Sequence, residues 1–190
     1  MAGAGGGRYQ GIATDDSDLR ALDLLAPRDF ARRPTQWLSL ISRRRATITY
    51  SPSFGYDLSM RRGAMQVPAD LDLSCWRRAG IGGDMIRPEV LHRFADAFEP
   101  SGFDRKAFIP SYGMAEVCLA ITFSPQGAGV RTDIVDRIAL ADQQRAVPAA
   151  DPLDGQRARS FVVCGRVLPG HVLGWFGCIT EARDSNGPLL

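Results

Sequence analysis

Three short segments carry the residues with the clearest chemical potential. They are Ser51-Pro52-Ser53-Phe54-Gly55, Gly82-Gly83-Asp84 and Ser111-Tyr112-Gly113-Met114-Ala115-Glu116. Each contains glycine, which lets backbone approach a ligand closely. Phe54 and Tyr112 offer flat faces on which a heterocycle can stack, and Asp84 and Glu116 supply two carboxylates. A carboxylate at Glu116 suits a hard cation. Taken one at a time, each has a plainer reading. Gly82-Gly83 can be an ordinary turn, Tyr112 a rim aromatic, and Glu116 a solvated carboxylate favoured by the dipole of a helix start. Their meaning depends on whether the chain brings them together.

The elements around them give that expectation. Pro34 can open a helix, with Trp37, Leu38, Leu40 and Ile41 as an apolar stripe and Arg43, Arg44 and Arg45 at its negative end. ATITY (46–50) reads as a buried strand, SPSFG (51–55) breaks it, and YDLSMRR reads as a short helix. WRRAGIG (76–82) is a second strand and PEVLHRFADAF (88–98) a second helix, with Val90, Leu91, Phe94 and Phe98 at helical spacing. KAFIP (106–110) is a third strand, followed by SYGMAE and by VCLAITF, which has mixed propensity. This alternation predicts an α/β fold, a parallel βαβ sheet with flanking helices. Ligands of such sheets sit at the carboxyl ends of the strands, where all three segments fall. Residues 1–20 read as a flexible lead-in, 21–127 as the βα sheet subdomain, 128–158 as a polar insertion and 159–190 as a truncated β-rich segment. In the last, SFVVCG (160–165) reads as a strand and RVLPGH as a turn.

Composition narrows the function classes. The chain has 190 residues, a net charge of +2 and 45% hydrophobic residues, ordinary for a globular domain. No apolar run approaches the length of a membrane span, and MAGAGGGRYQGIATDDSD lacks the apolar core of a secretory signal. A cytoplasmic protein without integral membrane association is expected. Cys75, Cys118, Cys164 and Cys178 show no metal-type spacing and read as reduced, partly buried thiols. His92 and His171 are the only histidines, too few for a zinc site or a His-based triad to be expected. GAGGG near the start lacks the Lys-Ser/Thr ending of a phosphate loop. Residues 28–62 hold eight arginines against Asp29 and Asp57, but such runs are usually solvated helix faces, so no nucleic-acid partner is expected.

SYGMAE (111–116) resembles the YG-x-T/A-E signature of the adenylate-forming, or AMP-binding, superfamily, which includes acyl-CoA synthetases, peptide-synthetase adenylation domains and luciferases. Three longer colinear stretches, 29–58, 71–125 and 161–171, resemble the fatty acyl-AMP ligases within it. The likeness runs over about 22–171. Ala115 in place of the threonine of many relatives, and the polar stretch 128–158 where these ligases carry an insertion, favour that branch.

The resemblance implies a partial large domain of the adenylate-forming fold. It implies activation of a long-chain fatty acid with ATP to acyl-AMP, then transfer to an acyl carrier protein, with ATP and Mg2+ as cofactors. By position, Gly82, Gly83 and Asp84 would border the adenine. Ser111, Tyr112 and Gly113, with Met114 and Ala115 beside them, would form the adenine and α-phosphate wall, Tyr112 stacking on the base. Glu116 would be the catalytic, Mg2+-associated carboxylate, and Ser53, Phe54 and Gly55 would lie near the acyl tunnel. Nothing in the sequence resembles the family's phosphate loop, its ribose-binding aspartate or its C-terminal lysine domain, and Lys106 stands in no comparable context. The expectation is therefore an internal fragment, catalytically incomplete alone. The alternative is a non-catalytic remnant serving as a binding or oligomerisation module.

Overall fold

The computed structural model describes residues 22–174 apart from 64–67 and 69. The lead-in 1–20, Cys178 and the end of the β-rich segment lie outside the described residues. Among the described residues five α-helices and seven strands follow one another: α1 (Pro27–Arg32), α2 (Thr35–Arg44), β1 (Ile48–Tyr50), α3 (Ser53–Gly63), β2 (Arg78–Ile81), α4 (Pro88–Phe98), β3 (Phe108–Tyr112), β4 (Thr122–Phe123), β5 (Thr132–Asp136), α5 (Arg137–Gln143), β6 (Ala158–Val162) and β7 (Arg166–Val167).

The first three strands are parallel, and the two βαβ crossovers run through α3 and α4. Crossovers of this kind between successive neighbouring strands are right-handed as a rule, which puts both helices on one face, and α3 packs on α4. Beyond β3 the sheet changes character: β4 pairs antiparallel with β3 and β7 antiparallel with β4, giving the order β1-β2-β3-β4-β7. The expected parallel sheet is thus a mixed one. RVLPGH contains a strand, Arg166–Val167, before its turn. The polar stretch 128–158 contributes β5 and α5, and β5 pairs with β6 as a separate two-stranded sheet.

Aromatic rings fill the space between the helices and the sheet. Tyr56 and Trp76 stack at 6.2 Å, and Phe94, Phe98, Phe103, Phe108 and Trp37 meet them or one another, most edge to face. Such pairing adds to what area burial alone contributes. Helix α4 has the predicted bounds: Pro88 opens it, and Val90, Leu91, Phe94 and Phe98 are all buried. In α2, Trp37, Leu38 and Ile41 are buried, and Arg45 closes the helix in the left-handed region.

Some boundaries differ from expectation. Strand β1 is not buried: Ile48 is 46% exposed and Tyr50 48%, because β1 is an edge strand and both point away from the helices. Ser53-Phe54-Gly55 is not a loop but the first turn of α3. Strand β3 starts two residues late and runs on through Tyr112. Asp104 caps a 3-10 turn before it, and pairing with β4 extends its end. Cys75 and Cys164 are half-buried free thiols, while Cys118 is exposed.

Candidate functional site

The carboxyl ends of β1, β2 and β3 lie side by side, and the sequence-predicted segments follow from them. Two contacts join the segments. First, Asp84 Oδ1 accepts from the backbone N–H and the hydroxyl of Ser53, both at 3.2 Å. Ser53 is fully buried, and its Oγ also accepts from the Arg87 N–H at 3.3 Å. One helical turn on, Asp57 pairs with Arg61 at 3.0 Å and with Arg87 at 3.6 Å, so the start of α3 is tied to the turn after β2 twice. Second, Gly82 lies against Ser111. A Cβ at position 82 would stand 2.7 Å from Ser111 Oγ and 3.1 Å from its carbonyl oxygen.

Gly83 has φ +80° and open space where a side chain would stand. Its backbone is therefore exposed beside Gly82, as close approach of a ligand requires. On the neighbouring strand, Ser111 donates to the Ile81 carbonyl at 3.0 Å and accepts from the Tyr50 hydroxyl. Tyr112 ends the strand and is 49% exposed. Gly113 is required by packing, since a Cβ there would lie 1.5 Å from the Leu119 carbonyl oxygen. The loop that brings this carbonyl back has two non-glycine residues at positive φ, Cys118 at 58° and Leu119 at 87°. Such outliers persist only where surrounding structure determines them. Met114, Ala115 and Glu116 are exposed on this loop, the last two in a 3-10 turn.

The structure thus gathers Ser53, Gly82, Gly83, Asp84, Ser111, Tyr112 and Gly113. Phe54 is exposed on the first turn of α3, and Gly55 packs against Ser51, with its would-be Cβ 1.9 Å from Ser51 Oγ. Among the described residues no three His, Cys, Asp or Glu side chains stand close enough to hold a metal ion by themselves. Glu116 is a single solvent-facing carboxylate. Tyr50 was not singled out from the sequence, because its partner Ser111 lies two strands away and only the strand register brings them together.

Comparison with known proteins identifies the family of the chain. The AMP-binding enzyme family model matches residues 21–176. A Caulobacter vibrioides protein named as an acyl-CoA synthetase is 46% identical over 169 residues, covering 89% of this chain and 28% of that protein. The medium-chain-fatty-acid acyl-carrier-protein ligase JamA of Moorena producens is 35% identical over 148 residues, with coverages of 77% and 25%. This chain therefore spans only about a quarter of the length of these relatives. A structure from a study of the fatty acyl-adenylate ligases of E. coli and L. pneumophila superposes with a TM-score of 0.69 at 46% identity, covering 75% of this chain and 26% of that one. The L. pneumophila fatty acyl-adenylate ligase in complex with acyl adenylate and pyrophosphate gives a TM-score of 0.66 at 32% identity, covering 75% and 24%. The chain belongs to the AMP-binding enzyme family, and within it the likeness runs to the fatty acyl-AMP ligases.

Proposed function

We propose that this chain carries part of the adenylate pocket of an enzyme that activates long-chain fatty acids. The overall reaction joins the fatty-acid carboxylate to the α-phosphorus of ATP, forming acyl-AMP and releasing pyrophosphate. The thiol of an acyl carrier protein then attacks the acyl carbonyl, forming a thioester as the anhydride bond breaks and AMP and the thiol proton leave, and the work is done in the cytoplasm. The observation that carries the reading is the contact of Gly82 with Ser111, which joins the open Gly82-Gly83 turn to the strand end that carries the exposed Tyr112. Tyr112 stacks on the adenine, and Gly82, Gly83 and Asp84 border it. Ser111, Gly113, Met114 and Ala115 complete the wall towards the α-phosphate. Ser53, Phe54 and Gly55 stand on the acyl side.

Glu116 fits a Mg2+ ion that arrives with the nucleotide. Mg2+ is commonly held by one or two carboxylates together with substrate phosphates, and Glu116 is an exposed carboxylate in the loop after β3. The ion would supply neutralisation of phosphate charge. This chain's own contribution is positioning, through preorganised strand ends that hold base and α-phosphate in one orientation.

We further propose that these 190 residues bind the adenylate without turning over, because Lys106 is the only lysine and lies outside the three strand-end segments. Thermal unfolding with a non-hydrolysable long-chain acyl-adenylate analogue tests binding. At about 100-fold over Kd the stabilisation is about 2.7 kcal/mol, roughly 5–10 °C for a chain of this size. A cooperative transition that does not shift would sink the adenylate reading. Fatty-acid-driven pyrophosphate exchange at the rate of a full-length relative would sink only the claim of incompleteness.

A further inference from the structure

The side chain of Tyr50 spans the middle strand of the parallel sheet. It leaves the last residue of β1, passes over Gly80 of β2, and donates its hydroxyl to Ser111 Oγ of β3 at 2.5 Å. A Cβ at position 80 would lie 2.2 Å from Tyr50 Cε2, so the ring passes only because residue 80 is glycine. Phe123 of β4 meets the ring edge to face at 6.4 Å. From the opposite face, the fully buried Tyr56 donates to the Gly80 carbonyl at 3.0 Å, which holds β2 in place beneath the ring.

Ser111 is where this bridge meets the site. Its proton goes to the Ile81 carbonyl, so the Tyr50 hydroxyl supplies a donor to its free lone pairs. The preceding residue, Pro110, has no N–H to give to the ladder, and the pairing of β2 with β3 ends there. Beyond Pro110 the end of β3 is fixed towards β1 and β2 by the side-chain bonds of Ser111. Gly82 touches Ser111 on one side and Tyr112 follows it on the other.

We propose that Tyr50 is a positioning residue for the nucleotide wall: through Ser111 its hydroxyl sets the spacing between the Gly82-Gly83 backbone and the Tyr112 ring. The inference rests on the adenylate reading above. Tyr50→Phe is the informative change, because it keeps the ring over Gly80 and against Phe123 and removes only the hydroxyl. Affinities are measured on the 190-residue chain for two ligands, an acyl-sulfamoyl adenosine and 5′-sulfamoyl adenosine, which lacks the acyl chain.

Both ligands are expected to bind more weakly by the same factor, about fivefold for the loss of one hydrogen bond. The melting temperature is expected to stay within about 3 °C. Ser111→Ala removes the acceptor together with the bond to Ile81 and is expected to cost more by itself, but Tyr50→Phe is expected to cost nothing further in the Ser111→Ala background, so the two changes are coupled rather than additive. A purely structural role would lower the melting temperature without such coupling in affinity. Unchanged affinity for both ligands overturns the proposal. So do strict additivity of the two changes and a loss confined to the acylated ligand, which would set Tyr50 against the chain rather than the nucleotide. A folded, unmodified chain that binds neither ligand overturns the adenylate reading and this inference with it.

Discussion

Tyr112 presents half of its surface at the end of β3, so its removal takes little from the folded core. Base-on-ring stacking contributes roughly 1–3 kcal/mol. Tyr112→Ala is therefore expected to weaken binding of the acyl-adenylate analogue by about tenfold or more with an almost unchanged melting temperature, read by calorimetric titration and thermal unfolding side by side. Gly113→Ala is the opposite case. Its methyl group would meet the Leu119 carbonyl at 1.5 Å, so the Ala115–Leu119 loop must move, and ligand binding is expected to fall further than for Tyr112→Ala. Away from the site, Asp72 is one of the carboxylates that contribute to the acid response of the fold. The Ser74 hydroxyl and N–H, with the Arg45 guanidinium beside them, hold its carboxyl at about 2. A depressed carboxyl stabilises the fold above its unfolded value near 4 and loses that contribution as pH falls towards 2. Asp72→Asn is expected to reduce the slope of stability against pH between pH 4 and pH 2 and to leave its pH dependence near neutrality unaltered.

At the scale of elements, legibility followed the range of the interactions. Helix α4 was readable residue by residue because Pro88 and the apolar spacing are local signals. The start of α3 was not. Ser-Pro-Ser-Phe-Gly looks like a loop, and what makes Ser53 helical is its bonding to Asp84 and Arg87, more than thirty residues away. The end of β3 was misplaced for the same reason, since pairing with β4 carries it through Tyr112. The three segments of the site were visible by type, but the contacts that join them come from register, which no local window contains. Packing of α4 also sets a stability expectation. Phe94 touches Tyr56, Trp76, Phe98, Phe103 and Phe108 and is fully buried. Phe94→Ala is expected to cost about 3–5 kcal/mol in denaturant unfolding, where a loss below about 1 kcal/mol would contradict the aromatic core.

At the scale of the whole molecule, β1 lies at the edge of the five-stranded sheet among the described residues, with Ile48 and Tyr50 exposed. An unprotected apolar edge invites pairing with another chain. Light scattering at rising concentration is expected to show association, which Ile48→Lys reduces while ligand affinity stays unchanged. A monomer at every concentration would contradict this. Among the described residues no helix is long and apolar enough to cross a membrane.

The order β3-β4-β7 has one more consequence. Phe123 of β4 pairs with Arg166 of β7, and everything between them leaves the sheet and returns to its neighbouring strand. The β5–β6 pair and α5 are carried on that excursion, anchored by the Ser124 hydroxyl on the Val163 carbonyl and by Val162 in the core. Lengthening such an excursion costs closure entropy that grows only logarithmically. This region is therefore a place where descendants of one gene can gain or lose tens of residues while the strands beneath the nucleotide wall keep their register.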